Sequence, residues 1–252
     1  MGIVQVLPVK GLPIIKKGDN LGALISDAAE KQGTPLQNDD VLVVTHVIVS
    51  KAEGHVYNLG EITPSEFAKT VAKNLKKDPA LVEVILRESR AIRRMRDGHL
   101  ITESKHGFTS ANSGVDQSNV AGGRFVAPLP KNPDRSARKI REGIMKKTGK
   151  DTAVIISDTH GRPFRMGEVN VAIGVAGINP IRDRRGETDL FGYVLHVKQT
   201  CIADELASAA ELVIGQANEG IPVAIVRGYS YPRSEKASAK ILIRSKKKDL
   251  FP

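Results

Sequence analysis

The sequence predicts an α+β fold of mixed sheets with packed helices, on three observations. Short runs such as residues 41–44 and 222–226 are apolar on both faces and read as buried strands. Other segments repeat apolar residues at helical spacing, with a capping residue before them and glycine after. The two kinds follow one another without strict alternation, which argues against a doubly wound sheet.

Residues 3–9 form the first expected strand, ended by Gly11 and Pro13. Asp19 caps an expected helix over 20–31, with Leu21, Leu24 and Ile25 on one face and Gly33 as its stop. Residues 41–44 and 47–49 read as buried strand running into a polar turn at 50–54. Thr63-Pro-Ser-Glu66 reads as a capping box opening a helix to about residue 76. Asp78-Pro79 opens another, with Leu81, Val82, Ile85 and Leu86 on one side and Arg87, Arg90, Arg93, Arg94 and Arg96 on the other. Residues 100–109 have hairpin character, turning near 105–107. A loop over 112–119 and a proline-marked connector follow. A basic helix over 134–147 turns Ala137, Ile140 and Ile144 inward and ends at Gly149. A strand begins at Ala153 and stops at Ser157, before a turn at Gly161 and Pro163. Residues 169–176 are strand-like, 182–189 a charged loop, 193–200 an alternating strand, and 202–214 an alanine-rich helix broken by 215–220. A basic tail occupies 232–252.

The 252 residues suffice for a substantial core and are read as one domain. Aromatic residues make up 4%, with no tryptophan, so single-strand binding by base stacking is disfavoured. The net charge of +10 fits an anionic partner. Its local clusters, at 131–150 and 244–248, read as solvated faces. One cysteine, Cys201, permits no internal disulfide and reads as a packed thiol. The N-terminus shows no basic region before an apolar segment, and no apolar run approaches a membrane span, so a cytoplasmic protein without a membrane partner is expected.

P-loop, dinucleotide-fingerprint, nucleophile-elbow and zinc spacings are all missing. Oxygen-bearing loops at strand ends remain: Asp116 with Asn119, Asp158 with Thr159, and Gln216 with Asn218. Separated carboxylates beside hydroxyl and amide groups suit a hard cation holding phosphate. Arg162 and Arg165 lie just beyond Asp158, and Lys10 and Lys51 each follow an apolar run. The same residues would also serve as a capped turn and surface charges.

Five motifs carry a resemblance: Pro8-Val-Lys-Gly-Leu-Pro13, Val49-Ser-Lys-Ala-Glu-Gly54, Ser113-Gly-Val-Asp-Gln-Ser-Asn119, Ile156-Ser-Asp-Thr-His-Gly-Arg-Pro-Phe-Arg165 and Ile221-Pro-Val-Ala-Ile-Val-Arg-Gly228. In this order they resemble the coenzyme F420-0:L-glutamate ligases, the gamma-glutamyl ligases of deazaflavin coenzyme biosynthesis. The resemblance spans residues 4–228. It implies an intertwined α+β homodimer that uses GTP to phosphorylate the carboxylate of F420-0. The amine of L-glutamate then attacks the acyl phosphate, and further rounds extend a gamma-linked tail. It implies two divalent ions, Mg2+ or Mn2+, with K+ as a further candidate. Asp116 and Asp158 would hold metal, and Thr159 and Gln216 would complete a second site. Asp116, Asp158 and Lys51 would be catalytic. Lys10, Gly11, Leu12, Pro13, Thr45, His46, Lys51, Asn119 and the loop of Gly215, Gln216, Ala217, Asn218, Glu219 and Gly220 would surround the nucleotide. Two departures stand out: some relatives carry Glu at the position of Gln216, and Ala is common at that of Ser113. The anionic substrate accounts for the positive charge without nucleic acid. The rival readings are a metal-dependent phosphohydrolase using the same carboxylates and a basic RNA-binding module.

Overall fold

The apolar runs assemble into a six-stranded sheet in the order β1 (Gln5–Pro8), β12 (Val223–Arg227), β2 (Val41–Thr45), β8 (Ala153–Gly161), β9 (Glu168–Ile178) and β13 (Arg233–Ser234). The computed structural model describes residues 2–249, so Met1 and the last three residues of the basic tail lie outside the described residues. Only β2 and β8 are parallel; the other neighbours in this sheet are antiparallel. Both sheet faces are buried, which is why residues 41–44 of β2, 153–156 of β8 and 223–226 of β12 are continuous apolar runs. Leu42, Val44, Val154, Ile156 and Ile225 pack with α1 (Leu21–Lys31) and α5 (Pro133–Thr148). Val41, Val43, Ile155, Ala224 and Val226 pack with α6 (Ile202–Ile214) on the other face. A separate core joins α3 (Glu66–Leu75) and α4 (Pro79–Arg87) to a three-stranded sheet of β4 (Ser89–Arg96), β5 (His99–Ser104) and β6 (Thr109–Ala111). Two small ladders complete the set, β3 (Tyr57–Asn58) with β7 (Phe125–Val126) and β10 (Ile181–Asp183) with β11 (Gln199–Cys201). The architecture is α+β.

Several expected elements differ. Residues 47–49 are not strand but the middle of α2 (His46–Glu53), which Gly54 ends in the left-handed conformation at φ 67°. Val47, Ile48 and Val49 are all buried, so the helical period is hidden. Asn20, not Asp19, caps α1, its Oδ1 accepting from the Ala23 N–H at 3.2 Å. Ser65, not Thr63, caps α3 and accepts from the Ala68 N–H, while the carboxylate that reaches back to it is Glu83. The helix with five arginines does not exist. α4 stops at Arg87, and Asp97-Gly98, both at positive φ, turns β4 back on β5. That Asp-Gly pair is a hairpin signal that the arginine count obscured. β8 does not stop at Ser157; it continues to Gly161 past an irregularity between Ile156 and Ser157. The charged loop at 182–189 begins as β10, and the expected strand at 193–200 is regular strand only from Gln199 onward, with an isolated bridge between Val194 and Thr188 before it. The tail after Tyr231 joins the fold through β13, which Arg233 ties to Asp39 and Asp151. Cys201 is half-buried at the start of α6, where burial and the nearby Asp204 push its thiol up to about 12.

Candidate active site

Because β2 and β8 are parallel, their C-terminal ends arrive together. Thr45 is opposite Ser157, and the chain leaves β2 directly into α2 at His46. The neighbouring antiparallel strands bring their N-terminal ends to the same edge. Asn170 of β9 faces Thr159, and Pro222, just before β12, accepts from the Thr45 N–H at 3.0 Å. A cleft of about 230 Å³ opens there. Ligands commonly bind beyond the carboxyl ends of parallel strands, where connections diverge.

Asp158 is 11% exposed in mid-strand, and its Oδ1 lies 3.3 Å from Nε2 of the buried His46. The loop over 112–119 crosses β8 beside it. Gly114 makes this approach possible: it sits at φ 68°, and a Cβ there would stand 2.5 Å from Leu129 Cδ2 and 3.0 Å from Asp158 Oδ2. The same loop carries Asp116, whose backbone is held by paired hydrogen bonds with Ala127. Its Oδ1 accepts from the Ser118 N–H and hydroxyl, each at 2.7 Å. Burial works against a charged His46, but the adjoining Asp158 and the more distant Asp116 outweigh it and hold its pKa above the ordinary imidazole value.

Lys51, one turn further along α2, donates to the Asn119 carbonyl at 3.4 Å, and burial lowers its pKa. Thr45 makes no side-chain cap on α2, and His46, Val47 and Ile48 of its first turn line the cleft. A helix N-terminus with a lysine beside it is an anion site. On the opposite wall, Thr159 Oγ1 lies 3.1 Å from Asn170 Oδ1 and 3.2 Å from Gln216 Oε1. Ile15, Ile48, Ile214 and Ile221 supply apolar surface between.

Of the residues singled out in the sequence, Leu12, Pro13, Thr45, His46, Lys51, Asp116, Asn119, Asp158 and Thr159 line this cleft, with Gly215, Gln216, Ala217, Glu219 and Gly220. Lys10, Gly11 and Asn218 stand outside its walls. The Lys10 N–H is bound to Gln32 Oε1 at 2.8 Å, which turns that segment toward α1. Sequence reasoning quoted Ser118 and Ser157 within their motifs without giving either a role, and it passed over Asn170. Asn170 had a visible signal, a single amide within the otherwise apolar strand of residues 169–176.

Among the described residues there is no cluster of three or more His, Cys, Asp or Glu that could hold a metal by itself. Two carboxylates with hydroxyl and amide oxygens nonetheless fit a hard divalent ion of the Mg2+ type. Such ions are usually held by one or two carboxylates, with the remaining positions taken by waters and substrate phosphates.

A family model for F420-0:gamma-glutamyl ligase matches residues 11–228. The coenzyme F420:L-glutamate ligase of Methanothermobacter thermautotrophicus is 47% identical over 100% of this chain and 99% of its own length. That of Methanocaldococcus jannaschii is 48% identical over 98% of this chain and 96% of its own, and that of Methanopyrus kandleri 46% over the whole of both. Among the described residues no helix is long and apolar enough to cross a membrane.

Proposed function

The chain belongs to the F420-0:gamma-glutamyl ligase family, and on that premise we propose that it joins L-glutamate to the deazaflavin coenzyme precursor F420-0 at the expense of GTP. The observation that carries this reading is the meeting of Asp116 and Asp158 with an uncapped helix N-terminus and Lys51 in one cleft. The precursor's carboxylate attacks the γ-phosphorus and GDP leaves. The glutamate amine then attacks the acyl carbon, its proton is lost, phosphate leaves and an amide remains. Later rounds repeat this on the γ-carboxylate of the new glutamate.

Divalent ions would neutralise the phosphate oxygens and hold donor and acceptor in line. Asp116 and Asp158 would hold the first, and Thr159 and Gln216 the second. His46 keeps Asp158 Oδ1 turned toward itself, leaving Oδ2 on the side of Gly114. The α2 first-turn N–H groups and the Lys51 ammonium would take phosphate oxygens, Lys51 as a point charge. Ile15, Ile48 and Ile214 keep the acyl phosphate away from water. What supports GTP over another nucleotide is the family likeness, and the positive net charge suits a phosphodiester substrate with a growing row of carboxylates.

We also place two copies of the chain in the working enzyme. The segment between β10 and β11 is an ordered arm, held by hydrogen bonds such as Gly186 N–H to Leu195 O at 2.9 Å. It carries Leu190 and Phe191 at 97% and 94% exposure, with Tyr193 and Val197 also in solvent. A rigid arm bearing contiguous apolar side chains suits a second subunit.

The test is mass spectrometry of the deazaflavin after incubation with L-glutamate, Mn2+ and either GTP or ATP. Glutamyl addition with GTP is expected. Equal or better addition with ATP overturns the nucleotide assignment, and phosphate release without glutamyl addition favours a phosphohydrolase.

A further inference from the structure

Glu211 is not among the residues that line the cleft, yet it touches two that do. Its Oε2 accepts from Asn170 Nδ2 at 2.5 Å, and its Oε1 accepts from Gln216 Nε2. An ionised carboxylate only accepts, so both amides must turn their NH2 ends toward it. Their oxygens then face the other way, onto Thr159 Oγ1. A hydroxyl has one proton to share between those two oxygens. Three oxygens thus converge with a single proton among them, an excess of lone pairs that a cation would satisfy.

We propose that Glu211 is a positioning residue: by fixing the amides of Asn170 and Gln216 it aims their carbonyl oxygens, with Thr159 Oγ1, at one point that holds the second divalent ion, and so makes Asn170 a ligand of it. This rests on the two-ion reading of the preceding subsection. The alternative is that Glu211 only fastens α6 to β9. The helix has other fasteners for that. Ser208 Oγ donates to the Asn170 carbonyl at 2.8 Å, and Asp204 Oδ1 accepts from the Ala172 N–H at 2.8 Å. Neither touches an amide side chain.

Glu211→Gln separates the two roles. It keeps the shape but sets an NH2 against an amide NH2, so one of the two neighbouring amides turns over and presents a donor to the ion. Mn2+ is titrated into the full chain with a non-hydrolysable GTP analogue, and free Mn2+ is followed by electron paramagnetic resonance. The wild type is expected to take up two ions. In Glu211→Gln the Kd of the weaker ion rises at least about tenfold, as for other groups that orient metal ligands, while the tighter ion is unchanged. Ser208→Ala, which removes a fastener and no amide contact, leaves both constants unchanged. The proposal is overturned if Glu211→Gln binds both ions as the wild type does, or if Ser208→Ala weakens the second ion equally. It is also overturned if Glu211→Gln weakens both ions alike together with a fall in Tm, which would make Glu211 a fastener. Uptake of fewer than two ions by the wild type removes the two-ion reading itself, whatever Glu211 does.

Discussion

Replacing Asp158 by Asn is expected to abolish ligation while leaving the fold standing. The stability cost is bounded by what the carboxylate touches. It faces His46 at 3.3 Å, longer than a good charge-assisted hydrogen bond, and Asn keeps size and one acceptor oxygen. The backbone is held independently, since Asp158 is paired with Val171 in the middle of the β8–β9 ladder. A loss of about 1 kcal/mol follows, which in a chain this long moves Tm by roughly 2–4 °C. The catalytic cost is larger because the fixed negative charge disappears. Removing one preorganised electrostatic group from an active site typically costs about 2.7–4 kcal/mol, a hundred- to thousandfold in rate. The assay is glutamate incorporation by mass spectrometry alongside Tm on the same preparation. Ligation within a few-fold of wild type would refute the reasoning, because a mere turn cap is served nearly as well by Asn. Lost ligation with a Tm drop well beyond 4 °C would refute it too, by making Asp158 a structural group.

Gly114→Ala forces a Cβ into Leu129 and toward Asp158 at positive φ; it should cost more than about 1 kcal/mol and lower ligation at least tenfold by lifting Asp116 off β8, read from Tm and glutamate incorporation. Light scattering should report a dimer for the wild type and a monomer for Phe191→Ser on the exposed arm; a wild-type monomer at micromolar concentration would exclude the paired enzyme. Glu83 has its pKa held below the usual carboxylate range, first by the Ser65 hydroxyl and N–H and then, against some burial, by Arg87. A depressed folded value means that this stabilisation is present above the unfolded pKa and is lost as pH falls through the folded one. Glu83→Gln should therefore melt below wild type at neutral pH, by about 1 kcal/mol, with the gap closing on acidification below about 4.5.

The fold was legible where one physical signal dominated. α5 was readable from Ala137, Ile140 and Ile144 on one face and Gly149 at its end, and the structure places Gly149 at φ 70° in the cap. β12 was readable because its buried stretch, residues 223–226, is apolar on both faces and the charged Arg227 comes only at its end. Illegibility came from competing signals. In α2 three successive β-branched residues mimic a strand, because a short helix buried on several sides shows no period. In β4 arginines at mixed spacing mimic a helix face, because its two register shifts break the alternation that marks a strand. At residues 193–198 the alternation is real, but the segment folds back only on residues 184–189 through an isolated bridge and scattered hydrogen bonds, so its apolar side chains stay exposed and no regular strand forms.

The cleft divides along the same line. The stretches 112–119 and 157–159 are contiguous and could be read from their residues as oxygen-rich, whereas Thr45 and His46 came only through the family resemblance. The order of five such motifs was more specific than any one of them. Glu211 and Asn170 belong to a helix and a strand that look like ordinary packing elements, and the carboxylate of one matters only because it meets the amide of the other across 41 residues of sequence. No local pattern encodes that meeting. It follows from the β8–β9 register, which sets Asn170 opposite Thr159, and from α6 lying across β9 by way of Asp204 and Ser208. Orienting groups behind a site are therefore fixed by tertiary registration, and they become visible only when the hydrogen bonds of each amide are followed to both of its ends.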